Sequence, residues 1–362
     1  MTYVGSQLDY IVSPGDVLDE TLEAQGISKQ DFADRCGRSP KFVSEIISGK
    51  ATLNEETAIR FGHVLDMDPQ LWINLEKIYR LKLAQDQELA VLNASADWIR
   101  TFPVSEMVKK GLLKKCHDVA ETARSILDFF GVANIEALEG IFEKRAEGLA
   151  FRRSPSFQGH PISLMIWLRW GERIALSTPI AEYEESKFRD GLKEIRCLTT
   201  SDAKIIQQRC GEICAAAGVH LIFVPELPGT RLSGATRWVG DNPVIQLSLR
   251  HKSDDHLWFT FFHEAGHILL HGKKGVFIDE SKNDGTDQKE IEANEFASNF
   301  LVPVHKWAEF LSCQSFTETS VKQFADSCGI APGIVVGRLQ HERRLPFGTR
   351  LNKLKTRFEW AK

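Results

Sequence analysis

The sequence predicts a mostly helical α+β protein, on three observations. Helical periodicity with start and stop signals dominates residues 1–200; short apolar runs between 220 and 249 read as strands; and an apolar helix beyond them carries ionisable residues. We divide the chain into a helix-turn-helix domain at 1–85, a helical connector at 86–200, a small α/β core at 201–310 and a helical tail at 311–362.

Residues Pro14 to Gln25 suggest a first helix, with Pro14 near its start and Gly26 beyond its end. In Ser28–Ser48, SKQDFADRCGRSPKFVSEIIS, Ala33 sits inside a short helix, Gly37 forms a bend, and Val43 and Ile46 fall on the inner face of a second helix. Two helices cross tightly at a short turn only if the contact residue is small and the turn residue tolerates positive φ. That is a helix-turn-helix pattern, with Ser39 as N-cap and Pro40 as first residue of the recognition helix. The start of such a helix meets base edges in the major groove, so Lys41, Ser44 and Ser39 are the candidate readers and Lys29, Arg38 and Lys50 the candidate phosphate contacts. A helical hairpin used for protein contact is the competing reading.

The formal net charge of −4 gives no global signal for polyanion binding, so a DNA surface must be local. At 362 residues the chain can hold two or more cores. Seven scattered cysteines do not make a disulfide framework, and Cys210 and Cys214, on one helix face, read as buried thiols. There is no basic leader with an apolar core and no apolar run of about 18 residues, so a cytoplasmic protein without membrane contact is expected.

The continuation GKATLNEETAIRFGHVLDMDPQLWINLEKIYRLKLA resembles the HigA-type antitoxins in its Gly-Lys turn, its E-T-A helix and its Trp72 segment. The resemblance implies a repressor that binds double-stranded, palindromic operator DNA as a homodimer and has a toxin partner. Trp72, Leu75, Ile78 and Tyr79 recur at helical spacing and read as core or as a dimer seam.

Residues 86–200 are less informative. Helical periodicity is broken at Pro103, Gly131 and Gly148, and the polar stretch Arg152 to Pro161 reads as a loop. His160, Trp167 and Trp170 are candidates for a substrate groove, with core packing the stronger reading for the tryptophans. Strands are expected at His220–Val224, Leu232–Val239 and Val244–Leu249, and a mobile loop at Gly272–Asp287.

The centre of the second half is FTFFHEAGHILLHG, Phe259–Gly272. Asp254 and Asp255 precede a run with apolar residues on every side, as in a buried helix. His263 and His267 are one turn apart on one face, close enough to share one ion, and Glu264, rotated by about 100°, can reach a water on that ion. This HExxH arrangement is a Zn2+ site with Glu264 as catalytic base; two core histidines are the competing reading. A third ligand is sought in the helix after Asp287. Glu290 reads as part of a capping box there, Glu292 lies about 40° from Phe296 at the edge of the apolar stripe, and Glu295 lies on the polar side. We therefore expect Glu292 as third ligand, with Glu295 as the alternative.

The run from Gly234 to Gly272 with the later EANEFASNFLVP resembles the ImmA/IrrE metallopeptidases, minimal zincin domains that cleave partner repressors. The resemblance implies Zn2+ held by His263, His267 and the glutamate of the EAN element, Glu292, with Glu264 catalytic and a repressor or toxin as protein substrate. His271, Arg237 and His305 are candidate oxyanion donors. Residues Val321 to Arg344 look superficially like a second helix-turn-helix, but Pro332-Gly333 and the following IVVG favour a packed helix.

Overall fold

The computed structural model describes residues 12–150, 161–230, 232–272, 277–280, 288–312 and 315–360, those at 145–150 and 277–280 as backbone alone. The expected loop at Arg152–Pro161 and the candidate His160 fall largely outside these. The chain divides into two compact units: Met1–Ile99 with Cys116–Arg124, and Arg100–Lys115 with Ser125–Lys362. This division cuts through the expected connector at 86–200, part of which falls in each unit.

In the first unit, α1 (Pro14–Gln25), α2 (Lys29–Cys36), α3 (Pro40–Ile47), α4 (Glu55–Leu65) and α5 (Pro69–Asn93) surround one core. Each start has a side chain that accepts a hydrogen bond from an otherwise orphaned backbone N–H: Ser13, Ser28, Ser39, Asn54 and Asp68. Gly37 ends α2 at φ 62°, a left-handed turn that a side chain would strain. Inside, Phe61 packs edge-on against Phe32 at 4.8 Å and against Trp72 at 5.6 Å. Arg80 of α5 donates to the carbonyls of Gly49 and Ala51, which fixes the turn after α3.

The short helices α6 (Ala96–Arg100) and α7 (Val104–Lys109) follow, then α8 (Val119–Phe130), α9 (Ile135–Ala150), α10 (Pro161–Ser177), α11 (Glu185–Cys197) and α12 (Ala203–Ala216). Strands β1 (His220–Phe223), β2 (Leu232–Val239) and β3 (Asn242–Leu247) lead into α13 (Asp254–His271); β4 (Phe277–Glu280) and α14 (Gln288–Leu301) come next. The chain then forms α15 (Val304–Leu311), α16 (Glu318–Cys328) and α17 (Pro332–His341). The sheet order is β1-β3-β2-β4, parallel between β1 and β3 and antiparallel elsewhere. β4 lies within the segment expected to be a loop; residues 273–276 and 281–287 on either side of it are outside the described ones.

Helices cover both faces of this sheet. On one face Gln246, fully buried, donates to Trp167 O of α10 at 2.7 Å and accepts from Arg237 at 2.8 Å. On the other, Thr236 donates to Glu264 O of α13 at 3.1 Å. Adjacent strand positions point to opposite faces, which is why Thr236 and Arg237 part in this way. Trp167 is 1% exposed and donates its indole N–H to Val224 O, so it belongs to the core and not to a groove. The core around α13 also takes Phe188 and Leu192 from α11, and Val335, Val336 and Leu339 from α17. The C-terminal pair is therefore packed, as the Pro-Gly start of its second helix suggested. Cys210 and Cys214 are buried free thiols, which burial holds well above the usual thiol range.

Candidate metal centre and candidate nucleic-acid interface

α13 is buried because apolar residues occupy all of its faces, and its ionisable groups are buried with them: His263 at 2% exposure, Glu264 at 0% and His267 at 1%. The Nε2 atoms of the two histidines are 3.0 Å apart, and the carboxylate of Glu290 stands 3.2 Å from the first and 3.4 Å from the second. Two donors on a tetrahedral Zn2+ with bonds of about 2.0–2.1 Å are separated by about 3.3 Å. The three ligand atoms thus already stand at the spacing one such ion requires, and among the described residues they form the one group able to hold it.

The third ligand is a correction. Glu290, expected to serve a helix cap, stands at the centre, and Glu292 does not. Along α14 the buried positions are Glu290, Ala293, Ala297 and Leu301. The inward stripe thus runs through the small residues, whereas Phe296 and Phe300, which guided the projection, lie at its edge. Two residues of helix rotate by about 200°, so once Glu290 points in, Glu292 points away. It accepts from Gln288 at 3.0 Å and lies 3.8 Å from His271 Nδ1. Glu295 is exposed. Asp287, the other end of the expected capping box, is outside the described residues.

Two further residues belong to the centre and were missed from the sequence. Asn294 Oδ1 stands 2.9 Å from His263 Nδ1 and, as acceptor, fixes the tautomer whose Nε2 lone pair faces inward. The signal was present, because Asn294 follows Glu290 by one helical turn. Gly234 on β2 is the other: a Cβ there would stand 2.6 Å from Glu264 Oε1 and 2.6 Å from Thr260 Cγ2. The missing side chain leaves the space the Glu264 carboxylate occupies.

The electrostatics suit a cation. Burial pushes the His267 imidazole down to about 4, which leaves it neutral and able to ligate at neutral pH. Burial pushes the Glu290 carboxyl up, but hydrogen bonds with His263 and His267 overcome this and hold it well below the usual carboxylate range. Two imidazoles and one carboxylate make a donor set characteristic of a catalytic Zn2+ with an open position.

Of the other candidates, Arg237 donates to Leu168 O and to Gln246, which commits one of its nitrogens to structure. His271 Nε2 stands 3.0 Å from Lys289 O, and His305 is exposed on α15.

In the helix-turn-helix, Ser39 Oγ accepts from Phe42 N–H at 3.2 Å and so caps α3. The Lys41 side chain is 84% exposed, and Ser44 and Lys50 are exposed as well. Ser44 Oγ donates to Pro40 O. Lys29 pairs with Asp19 at 2.7 Å, and Arg38 pairs with Glu56 at 3.2 Å beneath the Phe42 ring. The Lys29–Asp19 pair is exposed on both sides and is worth roughly 0–1 kcal/mol, whereas Arg38 is half-buried.

Residues 18–72 match the helix-turn-helix family, and residues 214–325 match the Peptidase_M78 family, described as the IrrE N-terminal-like domain. The HTH-type transcriptional regulator YddM of Escherichia coli K12 is 35% identical over 72 residues, which is 20% of this chain and 77% of that protein. Virulence-associated protein I of Dichelobacter nodosus is 28% identical over 81 residues, 22% of this chain and 75% of its own length. Among solved structures, the Pseudomonas aeruginosa antitoxin HigA with the higBA promoter is 30% identical, covering 22% of this chain and 86% of its own, with a TM-score of 0.21.

Proposed function

From a chain that belongs to the helix-turn-helix transcriptional regulators and carries an IrrE N-terminal-like peptidase domain, we infer a DNA-bound protease that cleaves a repressor or toxin partner. The observation that carries this reading is the buried convergence of His263, His267 and Glu290 with Glu264 on the same helix.

His263, His267 and Glu290 would hold Zn2+, which supplies a polarised carbonyl and an acidified water when bound. Asn294 keeps His263 in the ligating tautomer. Glu264, fully buried opposite Gly234, takes the proton of the attacking water on its carboxylate and returns it to the departing amine. Burial keeps bulk water from competing for that proton. β4 is the sheet edge next to β2, and a substrate added along it as a further strand would pass beside α13.

At the other end, Lys41, Ser44 and Ser39 would read bases in the major groove of double-stranded operator DNA, with Lys29, Arg38 and Lys50 on phosphates. One short helix reads few base pairs, so we expect a homodimer on a palindromic operator. The exposed Ile78, Leu81, Leu89 and Val91 of α5 supply apolar surface suited to a second copy. No helix among the described residues is long and apolar enough to cross a membrane, and buried free thiols fit a reducing compartment, which we take to be the cytoplasm.

The alternative is an autorepressing antitoxin whose zincin domain only binds its toxin, favoured by the Gly49-Lys50 turn and the Trp72 segment. Incubating the zinc-loaded chain with proteins encoded beside it decides between them. Cleavage that Glu264→Gln abolishes, with zinc content kept, supports the protease; stable complexes left intact by both proteins support the antitoxin.

A further inference from the structure

Beside the candidate metal centre, a shallow cleft opens at the start of α13, enclosing only about 10 Å³. Ser233, Ser248, Arg250, His251, Lys252 and His256 line it, and Thr260 closes its inner end. No carboxylate lines it among the described residues. Asp255 pairs with Lys355 Nζ at 2.6 Å, although its charge still reaches His251.

Several features show a built site rather than a surface dent. The His251 and His256 rings stack at 4.0 Å and 19°. Burial, then the neighbouring His256 and Arg250, push the His251 imidazole down to about 4 against the opposing charge of Asp255, so His251 is a neutral donor or acceptor at neutral pH beside the side chains of Arg250 and Lys252. Lys252 has φ 52°, a strained conformation for a residue with a side chain. It is held there because Lys252 N–H donates to Leu249 O and Lys252 O accepts from Phe358 N–H. Ser233, 8% exposed, forms part of the wall.

The position of the cleft sets its use. Thr260 and Glu264 both flank Gly234, one helical turn or about 6 Å apart along α13. An extended peptide advances about 3.3 Å per residue, so the cleft lies roughly two residues from a bond held at the centre. Its enclosed space is far below the roughly 300–1,000 Å³ of cofactor and drug-sized sites, so it can take only the tip of one side chain from an extended chain lying across it.

We propose that this cleft is a specificity subsite for the carboxylate of an aspartate or glutamate in a peptide substrate, about two residues from the scissile bond. The proposal rests on the peptidase reading above, and its test separates the two.

The Glu264→Gln chain of 362 residues, loaded with Zn2+, is titrated with a blocked pentapeptide carrying one glutamate, with its glutamine twin and with inorganic phosphate. The ring resonances of His251 and His256 are followed by NMR. The glutamate peptide should shift both rings and bind about tenfold tighter than its twin, the scale of one charge-assisted hydrogen bond. Lys252→Glu should remove that preference while the His263 and His267 resonances stay in place. Equal binding of the twins, no response, or a response to phosphate alone overturns the proposal, the last meaning a small-anion site. In a second arm the wild-type chain cuts a mixed peptide library. Acidic residues should be enriched at one position near the cut, and Lys252→Glu should shift that position towards lysine and arginine; a cut without such enrichment counts against the subsite. If nothing is cut the peptidase reading fails, and the binding arm still decides this one.

Discussion

The Glu290 carboxylate stands 3.2 Å from His263 Nε2, although the two residues come from different helices and are both buried. Removing its charge should cost the metal, whereas removing the charge of Glu292 should not. We expect Glu290→Gln to bind far less than one zinc per chain after dialysis and Glu292→Gln to bind one, as measured by elemental analysis. Loss of zinc from Glu292→Gln with retention in Glu290→Gln would reverse the assignment.

Asn294 would orient His263 without itself touching a bound ion. Substituting it frees the His263 ring to turn and to exchange tautomers. Outer-shell changes of this kind cost about 10–100-fold in metal affinity. Asn294→Ala should show that loss in competition with a zinc chelator while keeping native circular dichroism. Unchanged affinity would mean that packing against Phe259, 6.2 Å away between ring centroids, fixes His263 without help.

Gly234 tests the space for Glu264. In Gly234→Ala the new methyl would stand 2.6 Å from the carboxylate oxygen, well inside contact distance, so the side chain must move. Cleavage of the partner should fall at least tenfold with zinc content preserved, since positional errors of about 1 Å can cost 10²-fold. A fully active Gly234→Ala chain would show that Glu264 has room to spare.

These residues also mark what the sequence could and could not disclose. His263, Glu264 and His267 were legible because a four-residue spacing on a helix fixes which side chains meet, independently of the rest of the fold. Glu290 was not, because its partner helix supplied two candidate stripes and the choice fell to the bulky phenylalanines. Small residues, Ala293 and Ala297, form the inward face because α14 packs closely on α13. β4 was hidden for a different reason: it pairs with β2 through backbone, with Phe277 opposite Thr236, and its short sequence carries no clear alternation. The helix-turn-helix was readable almost throughout, since its caps and its bend are local.

Asp254 should make folding pH-dependent in an unusual direction. Burial pushes its carboxyl up to about 6, so the folded chain holds a proton that the unfolded chain releases near pH 4. Stability should therefore fall as pH rises from about 4 to about 6, with a penalty of up to about 3 kcal/mol persisting above. Asp254→Asn should remove that slope and be more stable than wild type at pH 8 in denaturant titrations. Parallel pH profiles for the two chains would show that the helix start compensates the buried charge.

The DNA-binding reading turns on Lys41, whose side chain is 84% exposed near the start of α3 and only loosely held by Glu45 at 3.8 Å. A base contact from this position is worth about 1–3 kcal/mol, whereas a phosphate contact acts through counterion release. Lys41→Ala should therefore weaken binding to the operator about tenfold or more and relax preference at one base position. Lys29→Ala, by contrast, should weaken all sequences alike and reduce the salt slope by about one. Both are read by gel shift and by titration over a range of salt. An unchanged shift with Lys41→Ala, while Lys50→Ala abolishes binding, would move the reading surface from the start of α3 to the turn that follows it.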